Sequence, residues 1–253
     1  MSEQVPLSIC IISKNEADRI GACLDAVSSL STDIVVVDSG STDRTVEIAR
    51  EKGARVFFNP WTGYGPQKRF SEDQALHDWV LNLDADEVLS EEIQQEIRNL
   101  LASPPPLAGY RLKIRNIYPD QSKPRLWADY NNYVRLYDRR LVRFRTSPVH
   151  DTVDIGAHKV GQLHGAVLHF SARSYDHIRF KLAAYTDLQA KTLRKKSWVI
   201  ALRLPFEYPA VFLKFYLARR HFTGGWDGIL SSHLAAEARF LRLIKMWKSR
   251  RNP

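Results

Sequence analysis

Trp79-Val80-Leu81-Asn82-Leu83-Asp84-Ala85-Asp86-Glu87 sets an apolar run directly before a cluster of acids. Such a run reads as a buried strand, which leaves the acids at its carboxyl end. Two carboxylates separated by one residue at that point suit a hard divalent cation, and such a cation suits the diphosphate of a nucleotide. An Asp-x-Asp triplet also fits a solvated turn, so its meaning depends on the surrounding chain.

Toward the N-terminus, Leu7-Ser8-Ile9-Cys10-Ile11-Ile12 reads as a second buried strand. It is followed by a helix expected over Asn15–Leu30, with Asn15 as N-cap and Ile20, Leu24 and Val27 on one face. The pattern repeats: Asp33–Asp38 is β-branched and nearly continuous, and Thr42–Lys52 is helical and ended by Gly53. Ala54–Phe58 adds a short strand and Gln67–His77 another helix before Asp78–Leu83. Strands alternating with helices predict a parallel sheet, and open sheets of this kind bind ligands beyond the carboxyl ends of their strands. Ser13–Glu16, Asp38–Asp43 and Asp84–Glu87 all fall at those ends.

Ile12-Ser13-Lys14-Asn15-Glu16, Val37-Asp38-Ser39-Gly40-Ser41-Thr42-Asp43 and Leu83-Asp84-Ala85-Asp86-Glu87 resemble, in order and spacing, the inverting family 2 glycosyltransferases of GT-A fold. Within that family the chain looks most like bacterial lipopolysaccharide core glucosyltransferases, through Gly65-Pro66-Gln67-Lys68-Arg69, Val149-His150-Asp151 and Leu168-His169-Phe170-Ser171. Those enzymes usually carry Asn where Arg69 stands and Glu where Asp151 stands.

The resemblance implies a Rossmann-like, mostly parallel sheet flanked by helices, and a role for individual residues. Ser13 and Asn15 belong to the nucleotide site, and Asp38 accepts the imide N–H of uracil; its plain alternative is a helix-capping acid. Glu16 is read as a ribose contact, or as an acid favoured in a first helical turn by the macrodipole. Lys68 and Arg69 reach toward the diphosphate, unless they sit on a solvated helix face. Asp86 is the direct ligand of Mg²⁺ or Mn²⁺, with Asp84 and Ala85 beside the ribose or the cation's water shell. His169 resembles a position that completes the metal site, which Mn²⁺ tolerates better than Mg²⁺ does; otherwise it is a histidine satisfied within a strand. Inverting displacement needs a base on the acceptor side, and Asp151 is that candidate, with His150 orienting it. His-Asp after a proline is also an ordinary turn.

Ser103-Pro104-Pro105-Pro106 stops a helix over Ser90–Leu101. Beyond it, Gly109–Tyr118 and Tyr133–Arg145 read as antiparallel strands of an acceptor-binding half, the latter as a strand pair, Tyr133–Tyr137 with Leu141–Arg145. The catalytic domain is therefore expected over residues 1–171, divided into 1–102 and 103–171, with a helical appendage over 172–253 that opens on one amphipathic helix, Ser174–Lys196.

Charge is uneven. Residues 172–253 hold 17 Lys and Arg against 5 Asp and Glu, while the whole chain of 253 residues is +9, so the first 171 residues are net negative. Trp198, Phe206, Phe215, Trp226 and Trp247 interleave with that basicity, and charges interrupt every apolar stretch before it reaches the roughly 18 residues of a membrane span. The pattern suits helices lying on an anionic membrane surface. Helices that only pack together bury the same aromatics. Nucleic acid is not expected as a partner, because Val199-Ile200-Ala201-Leu202 and Val211-Phe212-Leu213 offer more apolar surface than a phosphate-tracking groove needs. Cys10 and Cys23 fall in core elements, so no disulfide framework is expected. No basic region precedes the short run at Leu7, so a cytoplasmic protein attached to the inner face of the membrane is expected.

The expected activity is transfer of a hexose, glucose from UDP-glucose, to a lipopolysaccharide core or related lipid-anchored saccharide. The alternatives are a polyprenyl phosphate or lipid-linked oligosaccharide acceptor, or a non-catalytic lipid-binding protein with a relict nucleotide pocket. Nucleotidyl transfer calls for a glycine-rich loop after the first strand, and Ser13-Lys14-Asn15-Glu16 is not one.

Overall fold

β1 (Leu7–Ser13) is buried along its whole length and pairs in parallel with β2 (Asp33–Asp38) on one side and β4 (Trp79–Asp84) on the other. A strand covered on both faces reads as a continuous apolar run, which is why these elements are plain in the sequence. β3 (Arg55–Phe58) extends the parallel half beside β2. The computed structural model describes residues 5–147, 152–192 and 197–249.

One face of this half presents Ile9, Ile11, Leu81 and Leu83 to α1 (Ile20–Val27) and α4 (Glu91–Leu101), which bury Ile20, Leu24, Ile93 and Ile97 against them. The opposite face carries Cys10, Val35, Val37 and Val80 and is covered partly by α3 (Tyr64–Asp73). Beyond β4 the sheet turns antiparallel, through β7 (Asn131–Asp138), which pairs with β4 and with β6 (Gly109–Asn116). β10 (Val160–His169) and the three-residue β5 (Glu87–Leu89) pair antiparallel and complete a mixed eight-stranded sheet in the order β3-β2-β1-β4-β7-β6-β10-β5. The fold is α/β of GT-A type, parallel in its first half and antiparallel in its second.

Several expected elements shift. α1 begins at Ile20, not Asn15, because Asn15 adopts a left-handed backbone (φ 55°) and serves a turn. α2 (Thr45–Glu51) begins three residues after Thr42, past a turn held by Asp43. α3 begins at Tyr64 rather than Gln67, with Pro66 in the first turn where its missing N–H costs nothing. The expected pairing of Tyr133–Tyr137 with Leu141–Arg145 does not form. Asp138 instead closes a tight turn, accepting from the backbone N–H of Leu141 and Val142, and β8 (Arg143–Phe144) pairs with β9 (Val153–Asp154).

The chain divides into two compact units, one of Met1–Arg115 with Tyr130–Phe170, the other of Asn116–Asp129 with Ser171–Pro253. The helical unit contains α5 (Tyr175–Thr192), α6 (Ser197–Leu213), a π-helical segment Lys214–Ala218 and α7 (Gly225–Lys248). No sequence signal assigns Asn116–Asp129 to it, but hydrogen bonds do: Gln121 donates to Asp227 at 3.0 Å and Arg125 to the carbonyl of Arg219 at 2.9 Å. Among the described residues no helix is long and apolar enough to cross a membrane.

Candidate active site

The register aligns Ser13 with Asp38 and Ile12 with Asp84, so three strands deliver their polar ends to one edge. The turns after β1 and β2 are stitched together. Ser13 donates its hydroxyl to Asp38 Oδ2 at 3.0 Å, the Ser39 N–H donates to the Ser13 carbonyl at 3.0 Å, and the Asn15 N–H to Ser41 Oγ at 2.8 Å. Asn15 Oδ1 in turn accepts the Thr42 N–H at 2.8 Å, and the Glu16 N–H reaches Thr45 Oγ1 at 2.8 Å. The left-handed backbone of Asn15 is what aims its amide oxygen back at this second turn.

Asp38 is the hub. Its Oδ1 accepts the N–H groups of Gly40 at 2.9 Å and Ser41 at 2.7 Å, while Oδ2 accepts the hydroxyls of Ser13 and Ser41. A carboxylate offers about four lone-pair sites, and all are used. Asp38 thus builds its own turn rather than capping α2, and a uracil imide would have to displace one of the two hydroxyls.

The second cluster lies at the β4–β5 turn. Lys68, fully buried on α3, places Nζ 2.9 Å from Asp84 Oδ1 and 5.2 Å from the ring centre of Phe144. Arg135, from the middle of β7, meets Asp84 Oδ2 at 3.2 Å and Glu87 Oε1 at 3.3 Å. Burial opposes ionisation of Asp84, but the two cations outweigh it and hold its carboxyl well below the usual range. Glu87 behaves oppositely: burial, with the Asp84 charge adding to it, outweighs Arg135 and raises its pKa. Environment separates the two acids in role, with Asp84 the fixed anion.

Asp86 sits between two further groups. Its Oδ1 lies 3.4 Å from His169 Nε2 and its Oδ2 3.3 Å from Arg19 Nη1. The antiparallel pairing of His169 with Glu87, and the Phe170 N–H donated to the Asp86 carbonyl at 2.9 Å, bring the end of β10 against this turn. Burial resists charge on Asp86, and its hydrogen bond with His169 overcomes that and lowers its pKa; burial pulls His169 down, but Asp86 raises it. Arg19 also bonds Glu16 Oε2 through Nε at 2.7 Å and the Phe170 carbonyl at 2.8 Å, so one guanidinium ties the first cluster to the second.

Ser13, Asn15, Glu16 and Asp38 therefore converge, as do Lys68, Asp84, Asp86 and His169. Ala85 packs its methyl into the core, which leaves only its backbone to offer a ligand. Arg69 donates to the Phe144 carbonyl at 3.0 Å and lies 3.9 Å from Glu72 Oε2 on its own helix. His150 and Asp151 lie outside the described residues. Lys68 is not on a solvated face but beneath Asp84. Glu87 lies within the acidic motif without a role of its own assigned from sequence, and Arg19 and Arg135 carry no motif, although a lone cation within the apolar run Tyr133-Val134-Arg135-Leu136-Tyr137 is itself a sign that a buried acid stands nearby.

Among the described residues no three His, Cys, Asp or Glu side chains group to hold a metal. Asp86 and His169 supply one oxygen and one nitrogen 3.4 Å apart, a separation that two bonds to one ion of roughly 2.1 Å each can span. The pair suits an ion whose remaining ligands come from diphosphate and water, and the imidazole favours Mn²⁺ over Mg²⁺.

Residues 8–157 match the sequence profile of glycosyl transferase family 2. The chain belongs to that family. An uncharacterized glycosyltransferase of Rickettsia felis is 39% identical over 254 residues, covering 96% of this chain and 90% of the relative. The lipopolysaccharide core biosynthesis glycosyltransferase LpsC of Rhizobium meliloti is 29% identical over 262 residues, covering 98% of this chain and 94% of LpsC. A crystal structure of S. aureus TarS residues 1–349 in complex with UDP aligns over 93% of this chain and 91% of that one, at 13% identity and a TM-score of 0.49. The strand-end clusters described above are thus the candidate active site of a glycosyltransferase, and the profile spans both of them apart from His169.

Proposed function

We propose that this glycosyltransferase moves glucose from UDP-glucose, with inversion, to a saccharide of the lipopolysaccharide core or a related lipid-anchored glycan at the inner face of the cytoplasmic membrane. The observation that carries the donor half is Asp86 held between His169 and Arg19 at the tips of β4 and β10. Asp86 and His169 would hold Mg²⁺ or Mn²⁺, which when bound neutralises the departing diphosphate. Lys68 and Arg135 keep Asp84 ionised toward the ribose side, and Asp38 is the candidate partner of uracil once a serine hydroxyl rotates away. Asp151 is assigned the acceptor hydroxyl's proton and His150 its orientation.

The acceptor half rests on the name and full-length similarity of LpsC, and on the helical unit's chemistry. Along α6, Trp198, Leu202 and Phe206 recur at four-residue spacing and are exposed, as are Trp226 at the start of α7 and Phe180 on α5. Exposed aromatics on cationic helices suit the headgroup layer of an anionic bilayer. The sheet-bearing unit is accordingly assigned to catalysis, residues 1–102 chiefly to the donor and the rest of that unit to the acceptor, and the helical unit, with Asn116–Asp129 included, to membrane contact.

The test is a panel of sugar nucleotides incubated with the full chain, Mn²⁺ or Mg²⁺, and a lipopolysaccharide core acceptor. Acceptor-dependent release of UDP from UDP-glucose is expected; absence of release from every donor would leave the relict-pocket alternative standing.

A further inference from the structure

The helical unit contains a groove of about 510 Å³ between α5 and α7, with Phe215 of the π-helical segment on its wall. That volume lies in the range of small-molecule sites, and π-helical turns inside helices recur at functional positions. The two helices run in the same direction along the groove. Near their starts the Tyr175 hydroxyl donates to Asp227 at 2.7 Å, and near their ends Arg242 Nη1 donates to Gln189 Oε1 at 3.1 Å. The lining therefore changes character from end to end, from Ile178, Leu182 and Leu234 to Arg239 and Arg242.

Arg242 is the anomaly. It is 6% exposed, its Nε is buried without a hydrogen-bond partner, and among the described residues it forms no ion pair. The acid that acts on it, Glu207, is already held by Arg203, whose Nε and Nη2 donate to Glu207 Oε2 and Oε1 at 3.1 Å each. Burial, reinforced by the neighbouring charge of Arg239, pulls the pKa of Arg242 below the ordinary guanidinium value. A buried cation with no anion is costly, and protein interiors normally pair such a group. Among the described residues that line the groove, none is an acid. Two guanidinium groups call for more than one negative charge, and their planar forks match phosphate oxygens.

We propose that this groove binds one single-chain lipid phosphate, its phosphate on Arg242 and Arg239 and its hydrocarbon chain along Ile178, Leu182 and Leu234. The apolar half is what separates this ligand from inorganic phosphate, and the paired arginines are what separate it from a neutral lipid or a fatty acid. This site is independent of the donor reading and stands or falls without it.

The experiment is calorimetric titration of the full chain with dodecyl phosphate below its micelle concentration, beside inorganic phosphate and dodecanoate. Saturable binding of one dodecyl phosphate per chain is expected, with inorganic phosphate weaker by at least ~100-fold for want of the buried chain. Arg242→Met should weaken dodecyl phosphate on the order of 30-fold, as loss of a buried charge partner does, while the ligand-free protein melts no lower than wild type. Ala238→Trp fills the groove and leaves both arginines in place; it should weaken binding comparably and keeps the test open if the first variant misfolds. Inorganic phosphate or dodecanoate binding as tightly as dodecyl phosphate would overturn the proposal. So would non-saturating uptake, or wild-type affinity in either variant.

Discussion

Lys68 Nζ lies 2.9 Å from Asp84 Oδ1, and the lysine is wholly shut off from solvent while the aspartate retains access on its other side. The asymmetry makes the two partners unequal. Asp84→Ala takes a carboxylate from a fully buried ammonium and should cost about 3 kcal/mol or more in urea denaturation, as the loss of one partner in a buried pair does. Lys68→Met leaves Asp84 paired with Arg135 and should cost less than half of that. The double variant should fall short of the sum by about 1 kcal/mol or more, which a double-mutant cycle reads directly.

His169 and Asp86 predict a metal preference. Asp86→Ala should lower turnover by at least ~100-fold, more than is usual for residues that merely support a ligand. His169→Ala should erase an advantage of Mn²⁺ over Mg²⁺, since only the softer ion gains from imidazole. Initial rates with each ion at matched concentrations check both, and an unchanged Mn²⁺/Mg²⁺ ratio in the histidine variant would remove it from the metal site.

The saturated carboxylate of Asp38 gives opposite expectations for its two possible roles. If uracil binds there, Ser41→Ala frees one acceptor position, and UDP affinity measured by calorimetry should hold or rise. If Asp38 only builds its turn, the same change loosens the turn and affinity falls.

Asp151→Ala should reduce turnover by about 10²-fold or more while leaving UDP affinity near wild type, because a general base acts on the acceptor and not on the donor. Equal loss of both would mean that the residue holds the nucleotide side together.

His221 predicts a pH response confined to the helical unit. Burial, with the charge of Arg125 adding to it, pushes its pKa down to about 4, and its Nδ1 lies 3.1 Å from the Tyr118 hydroxyl. A neutral ring accepts that hydroxyl's proton, and a charged ring does not. Because the folded-state value is depressed, the unfolded chain binds the proton first. Stability is therefore full above pH 6.5, falls as pH drops below it, and stops falling on this account near pH 4. Thermal melts between pH 7 and pH 4 should show this loss, and His221→Gln should flatten it.

The parallel half was legible because β-branched runs buried on both faces have no other reading, and the acids at their ends follow from that. The far half was not. β10 carries Gly161 and Gly165, which in sequence look like breaks; in the fold a Cβ on Gly165 would come within 2.5 Å of the Ile93 backbone nitrogen, and one on Gly161 within 2.5 Å of the Tyr110 ring. Glycine there admits a close neighbour instead of ending a strand. β5 is three residues of acid and aliphatic with no periodicity to detect. Within the site, motifs gave the anions, whereas Arg19 and Arg135 became visible only when the fold showed which cations face them. Asn15 has the composition of a cap, and nothing local reveals that its partner is Thr42, twenty-seven residues on.

The chain leaves the sheet-bearing unit at Asn116, returns at Tyr130 and leaves again after Phe170. A fragment ending at Phe170 would keep Gln121, Arg125 and Leu126 but lose Asp227, Arg219 and Thr223, to which they are bonded. Shortening the protein to its sheet-bearing unit thus takes two excisions rather than one, and a library of simple C-terminal deletions should yield insoluble products until the excursion between β6 and β7 is also replaced by a short linker.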